Sequence, residues 1–297
     1  MQKALVTGGN IGRYVAEGLA GKGVPVRVLV RRVELNRKWH DLQIEQVACD
    51  LGAVTSLATA FENADRFFCV TPLVENLVEL GLNAVEAAKR AGVRYIVRSS
   101  ALGASEEAST MQRWHRAVEK AVEESGITNT ILQPNTFMQG YLDAESIKRD
   151  GAFYMPIGDA KISLVDVRDI AAMAVACLTE AGHEGKKYPV TGGEALSNAD
   201  VANKLTSVVG KEVTYVNVSL EQAKESLTKA EMPGWMVSAF LELFGAIGAG
   251  VASEISPAVE QVLKRKPISF DQFLTENAKL FRTPASAQRA SRSRIGA

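Results

Sequence analysis

Short apolar runs alternate with segments of helical periodicity through the first half of the chain. Between the first two runs, Ile11, Val15 and Leu19 recur every four residues and form one apolar helix stripe. Strands that are apolar throughout and alternate with helices are typical of parallel strands buried on both faces. The pattern predicts an α/β fold with a doubly wound parallel sheet. The predicted strands are "KALV" from residue 3 and the runs at 24–30, 44–49, 65–70, 94–100 and 128–134.

The regular alternation ends after Pro134, and helical patterns then dominate. We therefore predict a first domain over residues 1–150, to which elements near 160–195 return, and a smaller, mostly helical lobe over 151–282. The segment 283–297 contains arginines and small polar residues without an acid, which predicts disorder. Before Pro134, helices are predicted at 74–91 and 113–124. After Pro134, helices are predicted at 138–148, 167–178, 198–209, 221–229, 233–247, 257–263 and 270–281. Short strands are predicted at 152–156, 161–165 and 212–218.

Charge and cysteine content narrow the class of partner. Lys plus Arg and Asp plus Glu both total 34, so no overall field draws the chain to nucleic acid or to an anionic membrane. A small-molecule partner is favoured. Cys49, Cys69 and Cys177 are far apart and odd in number, which argues against a disulfide framework and against a metal site. Because the first strand begins almost at once, without the features of a signal peptide, a cytoplasmic location is expected.

The stretch "VTGGNIGRYV" at residues 6–15 joins the first strand to the first helix. Gly8 and Gly9 are adjacent, and Asn10 and Ile11 separate them from Gly12. A dinucleotide-binding turn uses one glycine for the tight turn, one for close approach to pyrophosphate and one for helix packing. Free amides at a helix start also attract phosphate. The turn is either such a site or a tight connection without a ligand.

Residues after the second and third strands bear on the identity of the nucleotide. Arg31 and Arg32 follow the second strand, and no acid occurs before Glu34. A cation at this place favours a 2′-phosphate, so NADP(H) is preferred while NAD(H) stays possible; a solvated basic turn is the alternative. Asp50 ends the third strand, where it either contacts an adenine amino group or serves as a cap or turn residue.

Polar residues also end the fourth and fifth strands. Thr71 and Pro72 follow the fourth strand, and Ser99 and Ser100 end the fifth. Ligands of doubly wound sheets collect at the carboxyl ends of the strands. The hydroxyls at these positions either reach ribose or substrate, or only cap backbone groups.

Five stretches together resemble the NmrA-like branch of the atypical short-chain dehydrogenases/reductases, in the same order and from about residue 3 to 281. They are "LVTGGNIGRYV", "VRVLVRR", "WHRAVEKAVEESGITNTILQPNTFMQGYL", "SLVDVRDIAAMAV" and "KYPVTGGEALSNADVANKLTSVVGKEVTYVNV". The resemblance implies a Rossmann-type domain, a smaller C-terminal substrate lobe, and NADP(H) or NAD(H) in the cleft between them. Members include quinone and dye reductases and also redox-sensing regulators that bind the nucleotide without turnover.

Two departures from the family pattern concern the cofactor and the chemistry. Gly8, Gly9 and Gly12 match the family's glycine loop, Arg31 its basic residue and Asp50 its adenine-side acid, but the loop is two residues shorter. Fewer amides then face the pyrophosphate, and each hydrogen bond lost to a charged group costs about 1.5–3 kcal/mol.

The superfamily's catalytic Tyr and Lys are replaced by Met111 and His115. Met111 cannot donate a proton. His115 is the candidate catalytic residue, either as a hydrogen-bond partner of ribose or nicotinamide or as a proton donor. Glu119, one helical turn further on, either orients the ring or is an exposed helix charge.

The chain after the sixth strand supplies the candidate acceptor site. Pro134 and Asn135 are expected beside the cofactor, where the family's chain crosses between lobes. Phe137 and Met138 are expected to form an apolar wall for a flat acceptor, with core packing as the alternative. Trp235, on the late apolar helix, is expected to line a lid over the acceptor.

The predicted function is an NADP(H)-dependent reductase that passes hydride to a quinone-like or other planar hydrophobic acceptor. The alternative is a non-catalytic redox-sensing regulator. A monomer or a homodimer is expected.

Overall fold

A computed structural model of the protein describes residues 3–142 and 144–282. The predicted disordered tail, 283–297, lies outside the described residues. Within them the chain forms eleven strands: β1 (Lys3–Thr7), β2 (Val26–Val30), β3 (Glu45–Ala48), β4 (Ala64–Cys69), β5 (Tyr95–Ser99), β6 (Thr128–Pro134), β7 (Ala152–Met155), β8 (Lys161–Ile162), β9 (Lys187–Val190), β10 (Leu196–Ser197) and β11 (Thr214–Asn217).

Helices connect and cover these strands. In the described part of the chain they are α1 (Gly9–Gly21), α2 (Arg37–Asp41), α3 (Val54–Phe61), α4 (Leu77–Arg90), α5 (Thr110–Glu124), α6 (Glu145–Asp150), α7 (Val167–Thr179), α8 (Asn198–Val209), α9 (Leu220–Lys229), α10 (Gly234–Gly248), α11 (Ala258–Leu263) and α12 (Phe270–Arg282). Several begin with a side-chain cap: the Ser109 side chain and Gln112 form a capping box at the start of α5.

The central sheet contains seven strands in the order β3-β2-β1-β4-β5-β6-β9, and every neighbouring pair is parallel. The six strands predicted from the apolar runs are all present in it. β9 is the seventh strand, and it joins the sheet after the chain has left it for an excursion of about 50 residues. The strand order reverses between β1 and β4, which creates the crevice where doubly wound sheets bind ligands. The predicted Rossmann-type α/β fold is confirmed.

Both faces of the central sheet are covered, as the apolar strands predict. Successive side chains of a strand point to opposite faces. Ala4 and Val6 therefore pack in one cluster with α1, α7 and α11, whereas Leu5 packs in another with α3 and α4. This double burial explains why β1 shows no polar alternation.

Two small sheets, β7 with β11 and β8 with β10, lie outside the central sheet, and we call the part of the chain that they form the second lobe. Helices α8 and α12 cover them. Phe153, Phe270 and Phe273 lie at the centre of a separate hydrophobic cluster, and the Tyr141 ring packs edge-on against Phe153 and Phe270. None of the helices within the described ranges is both long and apolar enough to cross a membrane.

Two predicted elements of this region are wrong in extent. The helix predicted over 138–148 is a short 3-10 helix, Met138–Leu142, followed by α6. Gly140 weakens helix propensity there, and the Met138 amide donates to Val165 O across a bridge between Phe137 and Val165. The strand predicted over 161–165 is limited to β8, because only its first two residues pair with β10.

Candidate functional site

The carboxyl ends of β1, β2, β4, β5 and β6 lie at one edge of the central sheet, because the strands are parallel. The predicted site residues that follow these strands are therefore brought to the same edge. Thr7 links two of these ends: its hydroxyl donates to Phe68 O (3.2 Å) and accepts from the Val70 amide (2.7 Å). These two hydrogen bonds connect the carboxyl ends of β1 and β4 at the base of the crevice between them.

The three glycines of the β1–α1 turn each have a separate steric role. A Cβ on Gly12 would lie 1.9 Å from Thr7 O, so only glycine lets α1 pack this closely on β1. A Cβ on Gly8 would lie 2.7 Å from Leu29 O, to which the Gly8 amide donates. Gly9 has φ +94° and open space around it. The turn therefore has the tight turn, the close packing and the open approach that a dinucleotide-binding turn requires.

The start of α1 fits a phosphate group in spite of the short loop. The helix begins at Gly9 with Gly8 as its cap, and no acidic residue lies in its first turn. First-turn amides have no partners within their helix, and the helix dipole is positive at this end. Gly9 and Asn10 are exposed, whereas the Ile11 side chain is buried in the core, so Ile11 can contact a ligand only through its backbone.

The basic residues after β2 are available to a ligand. Arg31 and Arg32 are both exposed, and Arg32 forms a long ion pair, 3.7 Å, with Glu34. Asp50, after β3, is also exposed, but its Oδ1 accepts from the Gly52 amide at 2.8 Å. One carboxylate oxygen of Asp50 therefore stabilises a turn, which was the alternative predicted for it.

Thr71 and His115 meet around the side chain of Arg98. The guanidinium of Arg98 donates from Nη2 to Thr71 Oγ1 at 2.9 Å and lies 3.2 Å from His115 Nδ1. Its Nη1 donates to Cys69 O at 3.2 Å. Pro72 follows Thr71 and is half-buried. The structure thus brings β4, β5 and α5 together at one buried cation.

His115 is half-buried on α5, one helical turn after Met111, which is buried. Burial, with the positive charge of Arg98 as a second cause, lowers the pKa of His115 from 6.5 to about 3. The ring is therefore neutral at neutral pH and has no imidazolium proton to give. What it can offer a ligand is the N–H of a neutral imidazole.

Glu119 does not orient the His115 ring; it is a fully buried carboxylate with other partners. Its Oε1 accepts from Ser100 Oγ at 2.5 Å and from Gln133 Nε2 at 2.9 Å. Arg116 and Lys187 reach its Oε2 at 3.3 and 3.2 Å. The Ser100 hydroxyl is therefore used to tie β5 to α5.

The residues at the crossing between the lobes are also engaged in structure. Asn135 Nδ2 donates to Ser163 Oγ and Ala252 O, both at 2.8 Å, and its Oδ1 accepts from the Thr136 amide. These bonds join β6 to the second lobe. Pro134 is buried at the end of β6, and Ser99 is buried at the end of β5. The side chains of Pro134 and Ser99 are therefore packed inside the protein.

The expected apolar wall is divided by the structure. Phe137 is 36% exposed, whereas Met138 is buried in the core of the second lobe, which was the alternative predicted for it. Trp235, at the start of α10, is half-buried with its ring 5.6 Å from that of Trp114 on α5. Phe137 of the predicted wall and Trp235 of the predicted lid thus keep an accessible side chain.

Sequence reasoning missed Arg98 and Trp114. Arg98 lies inside the apolar run "RYIVRSS", and a charged side chain is almost never fully buried without partners. An arginine in the middle of a strand buried on both faces was the available signal. No local sequence signal could have identified Trp114, because its ring contacts Trp235, which lies 121 positions further along the chain. Within the described ranges, no group of His, Cys, Asp and Glu is arranged to hold a metal ion.

Comparison with known proteins identifies the family of this chain. The NmrA-like family pattern matches residues 2–274. The chain is 38% identical over 281 residues to the NAD(P)H azoreductase of Xenophilus azovorans, spanning 93% of this chain and 98% of that protein.

Two solved structures have the same fold. One is the NADPH-dependent quinone oxidoreductase of Escherichia coli complexed with NADPH, with TM-score 0.82 and 27% identity over 93% of this chain and 99% of that one. The other is the triphenylmethane reductase of Citrobacter sp. complexed with NADP(H), with TM-score 0.80 and 25% identity over 93% and 99% of the two chains. With most of its length matched by the family pattern, this chain belongs to the NmrA-like family.

Proposed function

We propose that this protein is an NADPH-dependent reductase that passes hydride to a planar hydrophobic acceptor of the quinone or azo-dye class. The turn at residues 8–12 carries the proposal, because it combines an open helix start with two glycines that admit no side chain. Three proteins that resemble this chain support it: an NAD(P)H azoreductase, an NADPH-dependent quinone oxidoreductase and a triphenylmethane reductase that binds NADP(H).

The cofactor would be held mainly by backbone atoms at one end and by side chains at the other. Gly9, Asn10 and the Ile11 backbone face its diphosphate at the start of α1, where the helix dipole favours negative charge. Arg31 and Arg32, which follow β2 and are exposed, would contact a 2′-phosphate, and this supports a preference for NADPH over NADH. The other residues proposed to contact the cofactor follow or end β3 to β6 and so lie at the same edge of the sheet: Asp50, Thr71, Pro72, Ser99, Ser100, Pro134 and Asn135.

For hydride transfer to such an acceptor, the main task of the protein is to position the nicotinamide and the acceptor against each other. When bound, the reduced nicotinamide supplies a hydride to the acceptor. A quinone that receives hydride becomes an oxyanion, which water can protonate, so the absence of a side-chain acid at Met111 is tolerated. His115 remains neutral and donates a hydrogen bond to a ligand oxygen rather than a proton. Phe137 and Trp235 exclude water from one side of the acceptor.

A turnover assay with a paired control tests this function. NADPH oxidation is followed by absorbance with a small quinone and with an azo dye. Gly9→Asp places a carboxylate in the open space at the start of α1, where it repels a diphosphate. Gly23→Asp is the matched control, since Gly23 also has positive φ and open surroundings but lies at the other end of α1.

We expect the wild type and Gly23→Asp to turn over and Gly9→Asp to lose at least tenfold in kcat/KM. Saturable NADPH binding without turnover across quinones, dyes and aldehydes would instead identify a redox-sensing regulator. If the wild type does not bind NADPH at all, both functions are excluded.

A further inference from the structure

Arg98 is a buried cation without a carboxylate against it. Its side chain is 0% exposed, and its hydrogen-bond partners are a carbonyl, a hydroxyl, an imidazole and a thiol. Its Nε has no partner within the described residues. Burying a charge is costly unless the charge is paired, so packing alone does not account for an arginine at this position.

The contact with the His115 ring gives Arg98 a role beyond packing. A guanidinium has only donors, so His115 Nδ1, 3.2 Å from Nη2, must act as the acceptor. The single ring proton of a neutral imidazole then resides on Nε2. Bonds from the same guanidinium to Cys69 O and Thr71 Oγ1 fix its plane, which fixes the direction of the ring.

We propose that Arg98 is a positioning residue that holds His115 as the Nε2–H tautomer, so that the ring presents one N–H donor to an oxygen of the bound ligand. The role in ligand binding rests on the proposed function, whereas the tautomer does not. The nicotinamide nucleotide offers oxygen acceptors in its ribose hydroxyls and carboxamide, and a quinone offers its carbonyl.

The electrostatic surroundings favour the same state of the ring. Arg98 from β5 is the charge that acts on His115, and its effect opposes protonation. Behind Arg98, Cys69 of β4 is a buried thiol with a raised pKa, so it supplies no negative charge. Glu119 of α5 acts on Arg98 but is already bound by Arg116 and Lys187.

From the side of α10, Glu242 is bound to the Thr110 amide at 2.7 Å, and Arg113 lies 3.9 Å from the same carboxylate. The pKa of Glu242 is lowered, chiefly by the hydrogen bond from the Thr110 amide, so this carboxylate stays ionised at neutral pH. No carboxylate therefore serves as the counter-ion of an imidazolium at position 115 among the described contacts of the ring.

The nuclear magnetic resonance spectrum of the histidine rings tests the proposal directly. The chain has three histidines, so His115→Asn assigns the signal of His115 by its loss. In the wild type we expect the Nε2–H tautomer and no titration above about pH 4. In Arg98→Met we expect a tautomer mixture and a midpoint raised by about 1 unit or more, because the opposing charge is gone.

Two further variants keep the test decisive. Arg98→Lys retains a cation and a donor, so it should preserve most of the tautomer preference and thereby rescue Arg98→Met. Arg27→Met removes another buried strand arginine, which binds Ala60 O and Glu62 O far from His115, and should leave the His115 signal unchanged. An unaltered tautomer and midpoint in Arg98→Met and Arg98→Lys would overturn the proposal.

The consequence for ligand binding has a separate readout. Arg98→Met and His115→Asn should raise the KM for NADPH or acceptor by a similar factor, and the double variant should lose no more than either single one. A new ionisation should also appear on the acid side of the kcat/KM profile of Arg98→Met. If the ring behaves as expected but the wild type binds no NADPH, the proposed function fails and the tautomer assignment stands. Additive losses would contradict the positioning role.

Discussion

The β1–α1 turn and the Arg98–His115 pair lie at the same edge of the central sheet, but the turn depends on backbone packing and the pair depends on side-chain contacts. The turn acts through the absence of side chains: Gly8 and Gly12 let the backbone pass where no Cβ fits. The pair acts through side chains that come from β5 and α5 and meet only after folding. The first should be sensitive to volume and insensitive to pH, whereas the second should be sensitive to charge.

The largest expected effect concerns volume in the turn. Gly12→Ala places a Cβ 1.9 Å from Thr7 O, a backbone atom that cannot move without shifting β1 or α1. We expect a loss of about 3 kcal/mol in the free energy of unfolding and loss of NADPH binding. Denaturant unfolding and a nucleotide titration measure the two effects.

Gly21→Ala is the control for that substitution. It lies in the last turn of the same helix, where a Cβ has no neighbour within 4 Å. It should be neutral or slightly stabilising. If both alanine variants behave alike, close packing at Gly12 is not what holds α1 on β1.

The next effect concerns the charged network beside the buried pair. Glu119→Gln keeps the shape of the side chain but removes the charge that Ser100, Arg116 and Lys187 share. We expect a loss of about 2 kcal/mol in unfolding free energy, because hydrogen bonds to a buried charged group are among the stronger ones.

The exposed Glu124 provides a comparison on the same helix. Its ion pair with Lys120 is 4.0 Å long and solvated, so Glu124→Gln should change stability by less than about 0.5 kcal/mol. Equal losses in the two variants would mean that the Glu119 carboxylate has no special role in tying β5 to α5.

A third prediction tests whether the two arginines after β2 select NADPH over NADH. Replacing both Arg31→Glu and Arg32→Glu should weaken NADPH binding by at least about tenfold, about 1.4 kcal/mol, and change NADH binding little. Lys89→Glu together with Arg90→Glu is the charge-matched control, because both residues lie in the last turn of α4, which leads to the amino end of β5 at the opposite edge of the sheet. Calorimetry with both nucleotides measures the difference. An equal loss for NADH would show that these arginines do not select the 2′-phosphate.

The smallest effect is the dependence of stability on pH. His115 binds a proton in the unfolded chain below about pH 6.5 but not in the folded protein until about pH 3. The unfolded state therefore holds more protons between these values, and stability falls as pH is lowered through them. At about pH 5.5 this contributes a loss of about 1 kcal/mol relative to neutral pH. Urea unfolding at several pH values should show a shallower acid loss in His115→Asn than in the wild type.

Much of the architecture could be predicted because its cause is local. The apolar runs of β1 to β6 are continuous, since both faces of the sheet are covered, and they identify six of the seven central strands. The glycine spacing identifies the turn at residues 8–12. By contrast, the helix predicted over 138–148 is interrupted, because the bridge between Phe137 and Val165 competes with helical hydrogen bonds.

The side-chain network was less accessible to prediction. Glu119 was predicted either to orient the His115 ring, one helical turn away, or to be an exposed helix charge. It is buried instead, and its partners include Ser100 after β5, Gln133 of β6 and Lys187 of β9. Arg98 was visible only as part of a strand. A helix periodicity tells which residues share a face, but it does not tell which strand that face will meet.

The sequence by itself determined the parallel sheet, the glycine turn after β1 and the basic pair after β2, because each depends on neighbouring residues and on the stereochemistry of glycine. Only the tertiary structure decided that Arg98 reaches His115, that Glu119 is buried and that Asn135 joins the lobes. Those contacts connect residues from 17 to 117 positions apart. Their geometry follows from how strands and helices pack, which no local pattern encodes.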